Sequence, residues 1–292
     1  MTGTLVIIGG HEDKDHECAI LKEVVSLMDG GKLVVATVAS HQPDGYFEAY
    51  KKAFAKLGLT DLHELYVEDR AESADEEKLA PLMTASGVFF SGGDQLRISS
   101  QVGDTPFENH VRRIFEEGGV VAGTSAGASA MAEIMMVRGA SGESNRIGDL
   151  HMAPGLSLIS DVIIDQHFAE RGRIGRLLGA VALNPRILGI GIDEDTAIIV
   201  HGSSFRVVGK GAVYIVDGTG LTRSNIADGE TASTLSMFDV RLHLLCAGDL
   251  FDLKGRRPIV DATLEASHAL ERAGHSVAPE ACKFDRDQAP KD

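Results

Sequence analysis

VVAGTSAGASAM, Val120 to Met131, is the stretch on which the fold turns. Two valines lead into Gly123-Thr124-Ser125-Ala126-Gly127, and alanine-rich sequence follows. A β-branched run that meets a glycine and passes into small helix formers reads as strand, tight corner, helix. The same five residues fit G-x-S-x-G. In that pattern a strained strand-to-helix corner holds the serine hydroxyl out, and the flanking glycines let neighbouring backbone pass close by. The helix N-terminus beneath offers free N–H groups to a developing oxyanion. The alternative is a close-packed turn without chemistry. The motif alone is weak, and its strand-before, helix-after setting favours the nucleophile. Ser129, one helical turn on, reads as a packing residue.

Outward from this corner the chain repeats the same alternation. Strands are expected at Leu5–Ile8, Lys32–Ala39, Leu62–Val67, Gly87–Ser91, Val120–Gly123, Val162–Asp165 and Ile187–Ile192. Helical patterns lie at Glu17–Met28, Tyr46–Leu57, Ala74–Met83, Phe107–Glu116, Ala126–Met135 and Arg171–Leu183. Alternation of this kind argues an α/β fold, a mostly parallel sheet flanked by helices, with ligands at the carboxyl ends of its strands. After Asp193 the sequence reads as antiparallel strands, Ala197–Val200, Ser204–Val208 and Ala212–Val216, an extension of the same sheet edge. Residues 1–266 are expected to form one domain. Residues 267–292, polar and with Pro279 and Pro290, are expected to be a loosely held tail.

Bulk properties restrict the function. The 292 residues suffice for a sizeable core. The net charge of −15 argues against nucleic acid or an anionic membrane as partner. The apolar run near the N-terminus is too short for a signal peptide or a membrane span. Cys18, Cys246 and Cys282 are scattered and odd in number, which suits reduced thiols in the cytoplasm.

A serine nucleophile needs a base. Of eleven histidines, His167 in DVIIDQHFAERGRIGRLL stands just past an apolar strand, on the carboxyl edge expected for Ser125. His151 is a weaker option, and His201, His243 and His268 come later in the chain. Acids cluster at another strand end, GIGIDEDTA, as Asp193, Glu194 and Asp195. An α/β-hydrolase order would pair Glu194 with His201 or His243. The order Ser125, His167, Glu194 draws on three separate strand ends and is preferred. Each acid alone would otherwise be a cap or a solvated turn.

Gly92 and Gly93 in VFFSGGDQLRI end a further strand. They either bring backbone N–H groups toward Ser125 or form an ordinary strand–helix turn with Asp94 as the cap, and spacing leaves both open. Arg171, Arg173 and Arg176 follow His167 and suit carboxylate recognition, or else a solvated helix face. HEDKDHE, His11 to Glu17, does not fit H-E-x-x-H, because Asp15 stands where the second histidine belongs. No metal or other cofactor is expected, and the stretch reads as a turn into a helix.

Taken together, GGDQLRI, GTSAGA, DQHFAERGRIGRL and GIGIDEDTA, in this order and at these separations, resemble the cyanophycinase family, serine peptidases related to the α-aspartyl dipeptidase peptidase E. VIIGGHEDK is similar to that family's N-terminal strand and turn, and the resemblance runs over about residues 4 to 220. It implies a flavodoxin-like or class I glutamine-amidotransferase-like fold and a homodimer. It also implies serine-type hydrolysis of cyanophycin, a poly-aspartate bearing arginine on each β-carboxyl, to β-Asp-Arg dipeptides. By the same resemblance Ser125 matches the nucleophile, His167 the base and Glu194 the acid. The N–H groups of Gly93 and Ala126 match the oxyanion donors. Gln95, Asp165, Arg171, Arg173 and Arg176 match positions around the substrate pocket. The rival readings are a peptidase E-like dipeptidase for small Asp-X peptides, a non-catalytic α/β binding protein and an α/β-hydrolase esterase.

Overall fold

The computed structural model describes residues 3–40, 45–138, 147, 150–228, 230 and 233–260. The chain divides into a compact unit, Met1–Arg257, and a second, Pro258–Asp292, of which only the first three residues are described. The expected tail at 267–292 lies outside the described residues.

Strands of the first unit are β1 (Thr4–Ile8), β2 (Lys32–Ala36), β3 (Leu62–Leu65), β4 (Ala85–Phe90), β5 (Val120–Thr124), β6 (Ile134–Arg138), β7 (His151–Pro154), β8 (Val162–Gln166), β9 (Leu188–Ile192), β10 (Thr196–His201), β11 (Ser204–Gly209), β12 (Val213–Asp217), β13 (Arg223–Ser224), β14 (Met237–Phe238), β15 (Arg241–Leu245) and β16 (Leu250–Asp252). Helices are α1 (Ala19–Met28), α2 (Tyr46–Lys56), α3 (Glu76–Met83), α4 (Gln95–Val102), α5 (Pro106–Glu116), α6 (Ala126–Ala130) and α7 (Ile174–Leu183).

The fold is α/β, and its strands divide between two principal sheets. In the first the order is β16-β11-β10-β1-β5-β4-β2-β3. Pairing from β1 through β5, β4 and β2 to β3 is parallel. From β1 outward through β10 and β11 to β16 it is antiparallel. Side chains alternate across a strand, and here both faces are buried. Leu5 and Ile7 join Val34, Val88 and Phe90 in one core layer with Phe107 and Val111 of α5. Val6 and Ile8 join Val35 and Phe89 in another, against Val24 of α1 and Phe54 of α2. Burial on both faces explains why these strands read as continuous apolar runs.

The second sheet, β15-β12-β9-β8, corrects the expectation of one sheet. Only β8 and β9 pair in parallel. β12 does not continue the β10–β11 edge but pairs antiparallel with β9. Ile164, Ile190 and Ile215 turn toward the layer that holds Phe90 and Val111. Ile163 and Val216 turn to Leu177 and Val181 of α7. The expected helix Ala126–Met135 is also shorter. It ends at Ala130, and Ile134–Arg138 pairs with β7 instead. A run of isoleucine, methionine and valine has no helical stripe to bury. The short helix α4 follows the Gly92-Gly93 turn, and Asp94 caps it by accepting the Leu96 N–H, as the strand–helix reading of that turn expects.

Candidate active site

Ser125 stands between β5 and α6 at φ 52° and ψ −109°, a strained corner for a residue with a side chain. The two motif glycines explain how the corner closes. A methyl group on Gly123 would lie 2.7 Å from the Gly127 carbonyl, and one on Gly127 would lie 2.5 Å from the Phe90 carbonyl oxygen. Strand, corner and helix are packed backbone to backbone.

Facing it, Ser125 Oγ is 2.9 Å from His167 Nε2, and His167 Nδ1 is 2.6 Å from Glu194 Oε1. The three residues follow β5, β8 and β9, so the carboxyl ends of two sheets converge on one point. The template that brings them together is the N-terminal strand. Ile8, Gly9 and Gly10 offer successive carbonyls, which accept the N–H groups of Ser125 at 3.0 Å, His167 at 2.8 Å and Asp195 at 2.9 Å. The space is tight. A methyl group on Gly9 would lie 2.0 Å from the Asp193 carbonyl oxygen, and one on Gly10 would lie 2.3 Å from His167 Cε1.

The structure separates the three acids that spacing left together. Asp193 is buried and accepts the N–H groups of Ala169 and Ala212, tying the turn after His167 to the start of β12. Asp195 accepts the Asp13 N–H and pairs with Lys210. Glu194 alone of the three reaches His167. Its other oxygen, Oε2, accepts from His11 Nδ1 at 2.9 Å, a contact that sequence reading missed because 183 residues separate the pair. Edge to face, the His11 and His167 rings lie 5.0 Å apart. The HEDK turn carrying His11 is firmly held. Buried Glu12 accepts from Tyr50 Oη and from Thr124 Oγ1, next to Ser125, and pairs with Lys14 at 2.8 Å.

Burial pushes the His167 pKa below the ordinary histidine value, with Arg171 and His11 adding to it and Glu194 opposing it. The ring is therefore neutral at neutral pH, with a nitrogen lone pair free to accept a proton. For Glu194 burial pulls upward, but the bond from His167 and the charge and bond of His11 prevail and lower its pKa. It is ionised and acts as an acceptor.

Other candidates fall into place around this line. Gly92 lies beside Ser125, where an added Cβ would be 3.6 Å from Ser125 Cβ. Gly93 is exposed at φ 146°, and its N–H donates to no described backbone acceptor. Ala126 opens α6, so its N–H has no partner within the helix. Gln95 Nε2 donates to the Met136 carbonyl at 2.7 Å. The arginines part company: Arg171 is exposed, whereas Arg173 and Arg176 are buried against fully buried Asp165. Arg176 meets both oxygens of Asp165, with Nε 2.6 Å from Oδ2, and Arg173 approaches Oδ1 at 3.1 Å. Arg173 is pushed down to about 10 by burial, which outweighs Asp165. Its Nε has no partner among the described residues. Ser129 Oγ donates to the Ile164 carbonyl and ties α6 to β8. Of the other histidines, His151 lies on β7, His201 Nδ1 is 3.4 Å from Thr4 Oγ1, and His243 lies on β15; His268 is outside the described residues.

A serine hydroxyl on an imidazole, itself on a carboxylate, at a strained strand-to-helix corner is the arrangement of serine-type peptidases. Residues 5–208 match the description Peptidase family S51, and the chain belongs to that family. It is 40% identical over 256 residues to a cyanophycinase of Trichormus variabilis, covering 86% of each chain. It is 38% identical over 256 residues to one of Synechococcus elongatus, covering 86% of this chain and 80% of that one. A cyanophycinase of Geminocystis herdmanii is 36% identical over 263 residues, 89% and 97% of the two chains. The crystal structure of a peptidase from an acI-B1 actinobacterium shares the fold, with a TM-score of 0.67 at 21% identity over 86% of this chain and 97% of that one.

Proposed function

We propose that this chain is a cyanophycinase, releasing β-Asp-Arg from cyanophycin by serine acyl transfer. The observation that carries the reading is the continuous line Ser125–His167–Glu194, with contacts of 2.9 and 2.6 Å, in a chain whose named relatives above are cyanophycinases. His167 Nε2 takes the Ser125 proton as Oγ attacks a backbone carbonyl of the poly-aspartate. Glu194 holds the Nδ1–H tautomer and stabilises the imidazolium that forms. The N–H groups of Gly93 and Ala126 hold the oxyanion. The imidazolium returns its proton to the leaving amine, and a water deprotonated by His167 then opens the acyl-enzyme.

Within this reading Arg171 is the solvent-facing guanidinium suited to a substrate carboxylate. Gln95 and the buried Asp165, Arg173 and Arg176 belong, on the same reading, to the substrate pocket. The flavodoxin-like or amidotransferase-like assignment, exopeptidase action, a homodimer and a cytoplasmic location belong to the same proposal. No helix among the described residues is long and apolar enough to cross a membrane. The test offers the purified chain insoluble cyanophycin and, separately, small Asp-X dipeptides, with products identified by mass spectrometry. Soluble β-Asp-Arg from the polymer supports the reading. Cleavage of the dipeptides alone replaces it with the peptidase E-like one.

A further inference from the structure

The HEDK turn has no ligand spacing of its own, yet the fold carries His11 to the outer side of His167 and Glu194. A ring nitrogen of His11, one of His167 and a carboxylate oxygen of Glu194 all lie within 4.8 Å of one another. Both histidines address the carboxylate through Nδ1, at 2.9 and 2.6 Å. We propose that this trio is a binding site for a Zn2+-class transition-metal ion and that the bound ion switches the serine chemistry off.

Two imidazoles and a carboxylate are a zinc donor set. Magnesium and calcium prefer oxygen cages. Tetrahedral zinc holds its ligands at about 2.0–2.2 Å, which sets them roughly 3.3 Å apart. The two nitrogen–oxygen contacts are shorter than that, at 2.9 and 2.6 Å, and no two ligand atoms of the trio are more than 4.8 Å apart, so modest rotation lets them share an ion. The side chains free to rotate are the outer ones. His11 is 71% exposed and Glu194 26%, while the ring of His167 is fixed at 4%. The exposed His11 ring gives the ion a path from solvent, and water takes the fourth position. The turn behind it is already ordered, because Asp13 accepts the N–H groups of Asp15, His16, Glu17 and Cys18. Metal affinity gains from ligands held in place before the ion arrives.

The inhibitory consequence follows from proton placement. A neutral imidazole carries one N–H. When the metal takes the His167 Nδ1 lone pair, that proton moves through solvent to Nε2. Nε2–H then donates to Ser125 Oγ and can no longer accept its proton. Glu194 is withdrawn at the same time. The change breaks the Nδ1–H bond, forms an Nε2–H bond and alters no other covalent bond, and a chelator reverses it.

Inhibition rests on the proposed serine chemistry, whereas binding does not, so the two are measured separately. Zn2+ affinity of metal-free wild type, Ser125→Ala, His11→Ala and His11→Gln is read by competition with a chromogenic chelator. β-Asp-Arg release is read with Zn2+, with millimolar Mg2+ and after EDTA, each protein relative to its own metal-free rate. Wild type and Ser125→Ala should bind one Zn2+ with micromolar affinity. Both His11 variants should weaken it about tenfold or more, no less than loss of an outer-shell partner does. Gln at position 11 keeps an N–H for Glu194, so it separates loss of a ligand from loss of that hydrogen bond. Zn2+ should stop wild-type release, EDTA should restore it and Mg2+ should leave it unchanged. The site is refuted if the His11 variants bind as tightly as wild type, or if wild type binds no better than millimolar. Tight binding with undiminished release refutes the switch alone. If the polymer is not hydrolysed, the binding measurements still decide on the site.

Discussion

Gly10→Ala should silence the enzyme without unfolding it. Gly10 has φ 105°, and the new methyl group would sit 2.3 Å from Cε1 and 2.6 Å from Nε2 of His167. Ordinary contact between such atoms is about 3.5 Å, so the ring must retreat by roughly 1 Å. It has little room, since His167 is 3% exposed. A retreat of that size breaks the 2.9 Å contact with Ser125. Misplacement by about 1 Å costs roughly 100-fold, and loss of a general base costs about 10²–10⁴-fold. The expected loss in dipeptide release is therefore about 100-fold or more. Backbone strain, roughly 1–3 kcal/mol, is a separate effect and has its own control. Gly58 has φ 86° with nothing within 4 Å of an added Cβ, so Gly58→Ala carries the strain without the collision. Both variants should melt somewhat below wild type, and only Gly10→Ala should lose activity. A folded Gly10→Ala protein within threefold of the wild-type rate would refute the view that Gly10 is the seat of the catalytic ring.

Further outcomes follow from the same geometry. Release should rise with pH through an apparent pKa below the ordinary histidine value, because burial lowers that of His167 and only the neutral ring is a base. Glu194→Gln removes a contribution that raises the His167 pKa, so the acid limb of kcat/KM should move to still lower pH. At the same time kcat should fall by about 10⁴-fold, as a pH–rate profile of the variant will show. His11→Ala should shift that limb the other way, upward, because His11 lowers the His167 pKa. Asp165→Asn leaves Arg173 and Arg176 buried without their carboxylate. It should cost about 3–5 kcal/mol, read as a clearly lower melting temperature and denaturant midpoint.

Much of this was visible in the residues. Strand runs such as Thr4–Ile8 and Val120–Thr124 were legible because burial on both faces selects unbroken Val, Ile and Leu. The G-x-S-x-G corner was legible because close backbone packing admits only glycine on either side. The division into two sheets was not. LGIGI, Leu188 to Ile192, has the alternation of any central strand, and the glycines at 209 and 211 read as a hairpin turn. In fact Gly209, at φ 109°, packs so closely that an added methyl group would lie 2.1 Å from the Asp195 carbonyl oxygen, and the chain crosses to pair β12 with β9. Spacing alone offers three neighbouring acids, and Glu194 is selected only by the order of strand ends and the family resemblance, because Asp193 and Asp195 differ from it in which distant N–H groups they meet. The role of Ile8, Gly9 and Gly10 was hidden for the same reason. Their carbonyls hold Ser125, His167 and Asp195, and backbone acceptors leave no residue-type signature.

The central claim is that Ser125, activated by His167, performs the hydrolysis. Its most direct test incubates wild type and Ser125→Ala, each shown to be folded, with insoluble cyanophycin and quantifies soluble β-Asp-Arg by mass spectrometry. The account predicts steady release by wild type and none above background by the variant. Equal release by both proteins would contradict it.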